Sequence, residues 1–122
     1  MILQRTGNRT VAGLPGWEVE EKFPFGLEYR EGERVMEFDC ERATGPGVSI
    51  ILYYEPDNTW WKPPHRDRPL TAPEQHPILV RVTAALVLLG INPVWEAVPV
   101  EAARTDWPVI WEEANAFLRR AT

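Results

Sequence analysis

The sequence predicts an α+β fold: an antiparallel β-sheet, made of an N-terminal meander plus a late strand, with one long helix packed on a face and a C-terminal helix. Three patterns predict it: period-two alternation in the first half, a capped helical segment after residue 71, and an amphipathic segment near the end. With 122 residues, of which 44% are hydrophobic and 25% charged, the chain is expected to form a single domain over residues 1–122.

Apolar side chains alternate with charged ones in three segments of the N-terminal half, which is typical of strands with one buried face. Residues 48–54 are β-branched or aromatic on both faces, so this strand is expected to lie centrally in the sheet. The alternating apolar sets are Trp17 and Val19, then Leu27 and Tyr29, then Met36, Phe38 and Cys40.

The clearest element is a helix over residues 72–89. Thr71 and Glu74 have the spacing of a capping box, and Pro73 lies in the first turn. Apolar residues follow at helical spacing, and Gly90 is suited to end the helix in a left-handed conformation. A helix of this length can cross one face of a sheet.

The last third of the chain predicts a strand and a second helix. Residues 91–98 have strand character, and Pro93 places this strand at a sheet edge or near its own start. Thr105 or Asp106 then caps the C-terminal helix, with Pro108 in its first turn. Its apolar stripe consists of Trp107, Trp111, Ala114 and Leu118, flanked by Ile110, Phe117 and Ala121.

Charge and targeting signals narrow the partner and the compartment. The net charge is −5 and the pI about 5.0, which argues against a nucleic-acid partner and favours a basic protein partner. The N-terminus lacks the apolar core of a signal peptide, no apolar run is long enough to span a membrane, and Cys40 is the lone cysteine. We therefore expect a cytoplasmic protein with no membrane partner; its oligomeric state is left open.

Groups that do chemistry are scarce. The chain has two histidines, His65 and His76, without the spacing of a metal site. Cys40 sits on the apolar face of a strand, where a buried hydrophobe is the favoured interpretation over a nucleophile. Phosphate-loop and nucleophile-elbow motifs are missing from the sequence. We therefore expect no catalytic residues, no cofactor and no metal, and a role in recognition.

Residues 18–41 carry nine acids against three bases. Two interpretations stay open: a solvated outer face that keeps sheet edges from pairing, or a docking surface for a cationic partner. Under the second interpretation, Glu18, Glu20, Glu37 and Asp39 are candidate partner-binding residues.

The most distinctive string is Trp60-Trp61-Lys62-Pro63-Pro64, within a loop over residues 59–69 that is expected to be extended and polyproline-like. In an extended segment, Trp60 and Trp61 point to opposite sides. One is then expected to pin the loop to the core, and the other to serve as an interface anchor. Trp60, Trp61, Pro63 and Pro64 are therefore candidate partner-binding residues as well.

The order of features over residues 53–96 resembles the immunity protein 74 family of bacterial polymorphic toxin systems. The matching residues are Trp61, Pro63, Pro64, Thr71, Leu86 and Gly90. The family pattern has an acid between the tryptophan and the prolines, where this chain has Lys62.

The resemblance implies a non-enzymatic protein that binds and silences a cognate toxin, such as a nuclease with a basic channel. The alternative is a general protein-interaction or scaffold domain, possibly homodimeric. The Lys62 departure argues against any use of this loop for toxin contact that would be shared with the family, and leaves the structural role of the loop unaffected.

Overall fold

The computed structural model describes residues 3–5, 10–13, 16–22, 26–43, 46–47, 50–102 and 106–121. It confirms the predicted α+β class, with one sheet of seven strands in sequential order and two α-helices. The elements are β1 (Leu3–Arg5), β2 (Thr10–Gly13), β3 (Trp17–Lys22), β4 (Gly26–Glu31), β5 (Arg34–Arg42), β6 (Ile50–Tyr54), α1 (Ala72–Leu88), β7 (Pro93–Ala97), a 3₁₀ turn (Val100–Ala102) and α2 (Trp107–Ala121).

The first six strands form the predicted antiparallel meander. The late strand β7 differs, because it pairs with β6 in parallel, with Ile50 opposite Pro93 and Tyr54 opposite Ala97. The chain returns through α1 before it enters β7, and a crossover of this kind is what parallel pairing requires. Pro93 opens an edge strand, as the sequence predicts.

One face of the sheet forms the core, and the predicted alternation is confirmed by burial of every alternating apolar set. Tyr29 and Leu52 are fully enclosed, while Trp95 stacks on Trp107 of α2 with ring centroids 5.8 Å apart. Strand β6 pairs with β5 and with the edge strand β7, so it is an interior strand but does not have the predicted central place in the sheet. It buries alternate residues in the core and leaves Ile51 and Tyr53 on the opposite face.

The ends of α1 follow the predicted signals. The Glu74 carboxylate accepts hydrogen bonds from the Thr71 backbone N–H and from its hydroxyl, each at 2.9 Å. At the other end, Gly90 has φ of 80°. The Ile91 N–H donates to the Leu86 carbonyl and the Gly90 N–H to the Val87 carbonyl, at 2.9 and 3.0 Å, which is a Schellman motif.

The C-terminal helix α2 begins at Trp107, and the carbonyl of Asp106 accepts the first helical bonds. Thr105, the other candidate cap, lies outside the described residues. Ile110 and Ala114 are fully buried, and His76 of α1 bonds Glu113 of α2 at 2.7 Å. This helix therefore packs beside α1.

Strand β5 divides its length between two neighbours. Its residues 34–39 pair with β4, whereas only its last three residues pair with β6. Beyond the Cys40–Leu52 pair, β5 and β6 separate, and the loop after β6 borders the opening.

Among the described helices, none is long and apolar enough to cross a membrane.

Candidate partner-binding site

The acidic residues on the solvent side of β3 and β4 are largely neutralised within the chain. The Arg30 guanidinium donates to Glu18, Glu20 and Glu28, the Glu20 contact being 3.2 Å. Lys22 donates to Glu28 at 2.7 Å, and this contact raises the pKa of the lysine. Glu28 is only 7% exposed. Glu18 and Glu20, two of the predicted partner-binding residues, thus lie in an internal ion-pair network.

The solvent side of β5 to β7 is different. We call it the open face, because both helices cover the other side of the sheet. Its described strand residues include four acids and no lysine or arginine. The open face consists of Glu37, Asp39, Glu41, Ile51, Tyr53, Val94 and Glu96. Glu37 and Asp39, also predicted from the sequence, fall on this surface.

Tyr53 lies at the centre of the open face. Its hydroxyl donates to Glu41 Oε1 at 2.5 Å, and its strand partner on β7 is Glu96. The hydrogen bond to Glu41, partial desolvation and the charges of Glu41 and Glu96 raise the pKa of Tyr53 to about 12. Ile51 and the 37% exposed Val94 lie beside it. The arrangement is an aromatic and aliphatic centre inside a rim of carboxylates.

A cleft of about 420 Å³ adjoins the open face where β5 and β6 separate. Glu37, Asp39 and Glu55 line it together with Trp60 and two of the loop's bases, Lys62 and Arg66. The Trp60 ring lies under Arg66, whose guanidinium carbon is 4.5 Å from the ring centroid. Trp60 Nε1 donates to Asn58 Oδ1 at 2.7 Å.

Trp61 points the other way. It is 8% exposed, and its ring stacks on Tyr29 with centroids 6.2 Å apart. The neighbouring Lys62 N–H donates to the Val35 carbonyl at 2.8 Å, so both residues fix the loop to the sheet. The prediction that one of the two tryptophans fixes the loop to the core is confirmed for Trp61, while the role of Trp60 as an interface anchor stays a prediction.

The proline pair departs from the predicted extended course. The His65 N–H donates to the Lys62 carbonyl at 3.0 Å, which closes a turn over Pro63 and Pro64. A turn brings the chain back over the cleft, so Pro63 lines the cleft while Pro64 is exposed at the turn.

The histidines and the cysteine lie apart from this site. His76 bonds Glu113 and lies 3.9 Å from Asp106, between the two helices, and His65 is in the loop. Cys40 is buried beneath the sheet, and desolvation raises the pKa of its thiol. In the described part of the chain, no group of three or more histidine, cysteine or acidic residues is placed to hold a metal ion.

Sequence reasoning missed part of the site, namely Tyr53, Glu41, Glu96, Glu55 and Arg66. The alternation of residues 50–54 and 93–97 would have placed Tyr53 and Glu96 on solvent-side faces. The pairing of β6 with β7, which makes Tyr53 and Glu96 neighbours, has no signal in either segment alone.

Comparison of the chain with protein-family models, with curated proteins and with solved structures gave no match.

Proposed function

We propose that this chain is a non-enzymatic binding protein that neutralises a bacterial toxin in the cytoplasm by docking its open face on a basic surface of that toxin. The observation that carries the proposal is the rim of four carboxylates around Tyr53, without a lysine or arginine among the described strand residues of that face. The toxin is suggested by the resemblance to the immunity protein 74 family.

The charge distribution supports a cationic partner. Carboxylates on one surface raise the rate of encounter with a basic protein and fix its orientation. The acids of β3 and β4 contribute less to such a field, because Arg30 and Lys22 neutralise them locally. On the open face, Asp39, Glu41 and Glu96 take part in none of the described ion pairs, and only Glu37 is paired, with Lys62.

The centre of the open face supports binding as well. Tyr53, Ile51 and Val94 present an aromatic and apolar area of the kind that forms the desolvated centre of an interface, while charged groups form its rim. Two copies of the same face would bring like charges together, which disfavours a homodimer built on it.

The experiment uses the protein encoded directly upstream of this chain's gene, where a cognate toxin is expected. Asp39→Lys with Glu96→Lys reverses two acids that take part in none of the described ion pairs. The matched control is Glu101→Lys with Glu112→Lys, two exposed acids away from the open face that give the same change in net charge. Affinity is measured by titration calorimetry at low and physiological salt.

We expect the open-face variant to lose at least about tenfold in affinity and most of its salt dependence, with unchanged thermal unfolding, while the control loses about threefold or less. In co-expression, only the control should still protect cells from the toxin. Equal losses in both variants would show that net charge matters and the face does not. Absence of binding by the wild-type chain would refute the proposed function.

A further inference from the structure

We infer that the cleft beside the open face is a pocket for one arginine side chain of the protein partner. The inference rests on the proposed function and deepens it by naming the group that the partner inserts. It follows from the separation of β5 and β6, the carboxylates at the mouth of the cleft, and the aromatic ring on its wall.

The backbone of β5 contributes an acceptor to the cleft. Val35 directs its carbonyl away from β4, since it accepts the Lys62 N–H at 2.8 Å. Backbone groups alternate in direction along an antiparallel strand, so Glu37 directs its N–H and carbonyl to the same side. The β5–β6 ladder does not reach Glu37, because its last pair is Cys40 with Leu52. The carbonyl of Glu37 therefore faces the cleft.

The cleft is closed along the strand direction and accessible from the side. The Lys62–Val35 bond limits it at one end and the β5–β6 ladder at the other. An additional strand cannot run through so short an opening, whereas a single long side chain can enter it. Its volume of about 420 Å³ is at the small end of the range for binding pockets, which is roughly 300–1,000 Å³.

The charges in the cleft favour a cation. Three carboxylates line it, those of Glu37, Asp39 and Glu55, against the two bases Lys62 and Arg66. Lys62 is paired with Glu37 at 2.9 Å. The carboxylates of Asp39 and Glu55 take part in none of the described ion pairs. Glu55 accepts one long hydrogen bond, from Asn58 Nδ2 at 3.4 Å, which leaves its other oxygen for the donors of an incoming group.

The ring of Trp60 already accepts a guanidinium from the chain itself. Arg66 lies over it at 4.5 Å, is exposed, and takes part in none of the described ion pairs. An incoming guanidinium stacks on the same ring and displaces Arg66 to solvent. Because Arg66 gives up one exposed cation–π contact, the exchange costs little.

Arginine fits this set of groups better than other side chains. Its planar fork donates to a carboxylate and a carbonyl at once while its face stacks on an aromatic ring. Lysine offers a point charge without the stacking plane. A carboxylate or phosphate would meet Asp39 and Glu55, and like charges repel it.

The test needs no toxin. The probe is the peptide acetyl-Gly-Arg-Gly-amide, compared with the same peptide carrying lysine, glutamine or glutamate in the centre. The signal is the indole N–H resonance of Trp60 in the ¹⁵N-labelled full chain, assigned with Trp60→Phe. We expect a saturable shift with the arginine peptide at millimolar concentration, at least about threefold weaker binding of the lysine peptide, and no saturable shift with the other two.

Variants decide which groups hold the probe. Asp39→Asn with Glu55→Gln should abolish the shift, while Glu112→Gln with Glu101→Gln, which removes the same charge elsewhere, should leave it unchanged. Arg66→Ala should tighten binding severalfold, because it removes a competing cation. Weaker binding by Arg66→Ala together with a shift caused by the glutamate peptide would overturn the inference in favour of an anion pocket.

Failure of the inference and failure of the proposed function are distinguishable. A chain that binds the toxin but gives no saturable shift with the arginine peptide has the function without the arginine pocket. A chain that binds the peptide but not the upstream-encoded protein retains the pocket and loses the proposed partner.

Discussion

Adjacent tryptophans with opposite roles give a sharp prediction about stability. Trp61→Ala removes a ring that is 8% exposed, stacks on Tyr29 at 6.2 Å and lies 5.9 Å from the Arg34 guanidinium. Trp60→Ala removes a ring that contacts the exposed Arg66 and donates one hydrogen bond to the exposed Asn58. The two variants make the same chemical change one residue apart.

The magnitudes follow from burial. A buried tryptophan removes up to about 250 Å² from water, worth about 6 kcal/mol at about 25 cal/mol/Å². The loop can partly close over the vacated space, so we expect Trp61→Ala to cost about 4 kcal/mol, within the usual range for such truncations. Trp60→Ala should cost about 2 kcal/mol, because its half-buried ring gives up part of its apolar burial and an exposed cation–π contact.

Thermal and guanidinium unfolding, each followed by far-ultraviolet circular dichroism, measure both variants. With an unfolding entropy of about 2.1 cal/mol/K per residue and 122 residues, the larger loss lowers Tm by about 15 °C, and the smaller one by about 8 °C. Trp60→Ala should also lose affinity for the arginine peptide. Trp61→Ala should keep that affinity under conditions in which the variant is folded. Losses of stability that agree within about 1 kcal/mol would refute the assignment of the two rings.

Two further predictions concern the ends of α1. Gly90→Val should lower the free energy of unfolding by about 2 kcal/mol. Gly90 has φ of 80° and no atom within 4 Å of an added Cβ, so the loss comes from the backbone conformation. Gly90→Asn should cost less than about 1 kcal/mol, and equal losses for the two variants in chemical unfolding would contradict the left-handed helix end. The bidentate hydrogen bonds from Arg68 and those from Thr71 lower the pKa of Glu74 from 4.5 to about 2. The stability that the ionised carboxylate provides is therefore fully present above pH 4.5 and is lost as the pH falls toward about 2. The stability difference between wild type and Glu74→Gln should therefore narrow over that interval, and a difference independent of pH would contradict the pairing.

Much of the fold could be predicted because its signals are local. Thr71 and Glu74 lie three residues apart, so the capping box is visible in the sequence, and Gly90 marks a backbone conformation that few residues adopt. Alternation placed Trp17 and Val19 toward the core without knowledge of their neighbours, and it predicted opposite directions for Trp60 and Trp61 without deciding which of them is buried.

The features that escaped prediction depend on pairing between distant segments. The parallel pairing of β7 with β6 depends on the crossover through α1. The alternation of buried and exposed residues in either strand is compatible with a parallel or an antiparallel neighbour. Glu28 has the sequence position of a solvent-side acid and is buried because Lys22 and Arg30 close over it. The cleft exists because the first part of β5 pairs with β4 and only its last three residues pair with β6. No residue type in β5 predicts where the pairing changes.

The fixation of the loop by Trp61 and the Lys62 backbone separates what holds the fold from what faces outward. The half-buried Trp60 and the exposed Arg66 contact each other outside the core, while the contacts that fix the backbone come from Trp61 and Lys62. Libraries randomised at positions 60 and 66 should therefore yield well-folded variants at high frequency. A chain built in this way can acquire specificity for a new ligand through a few substitutions in this loop, while the rest of the fold stays constant.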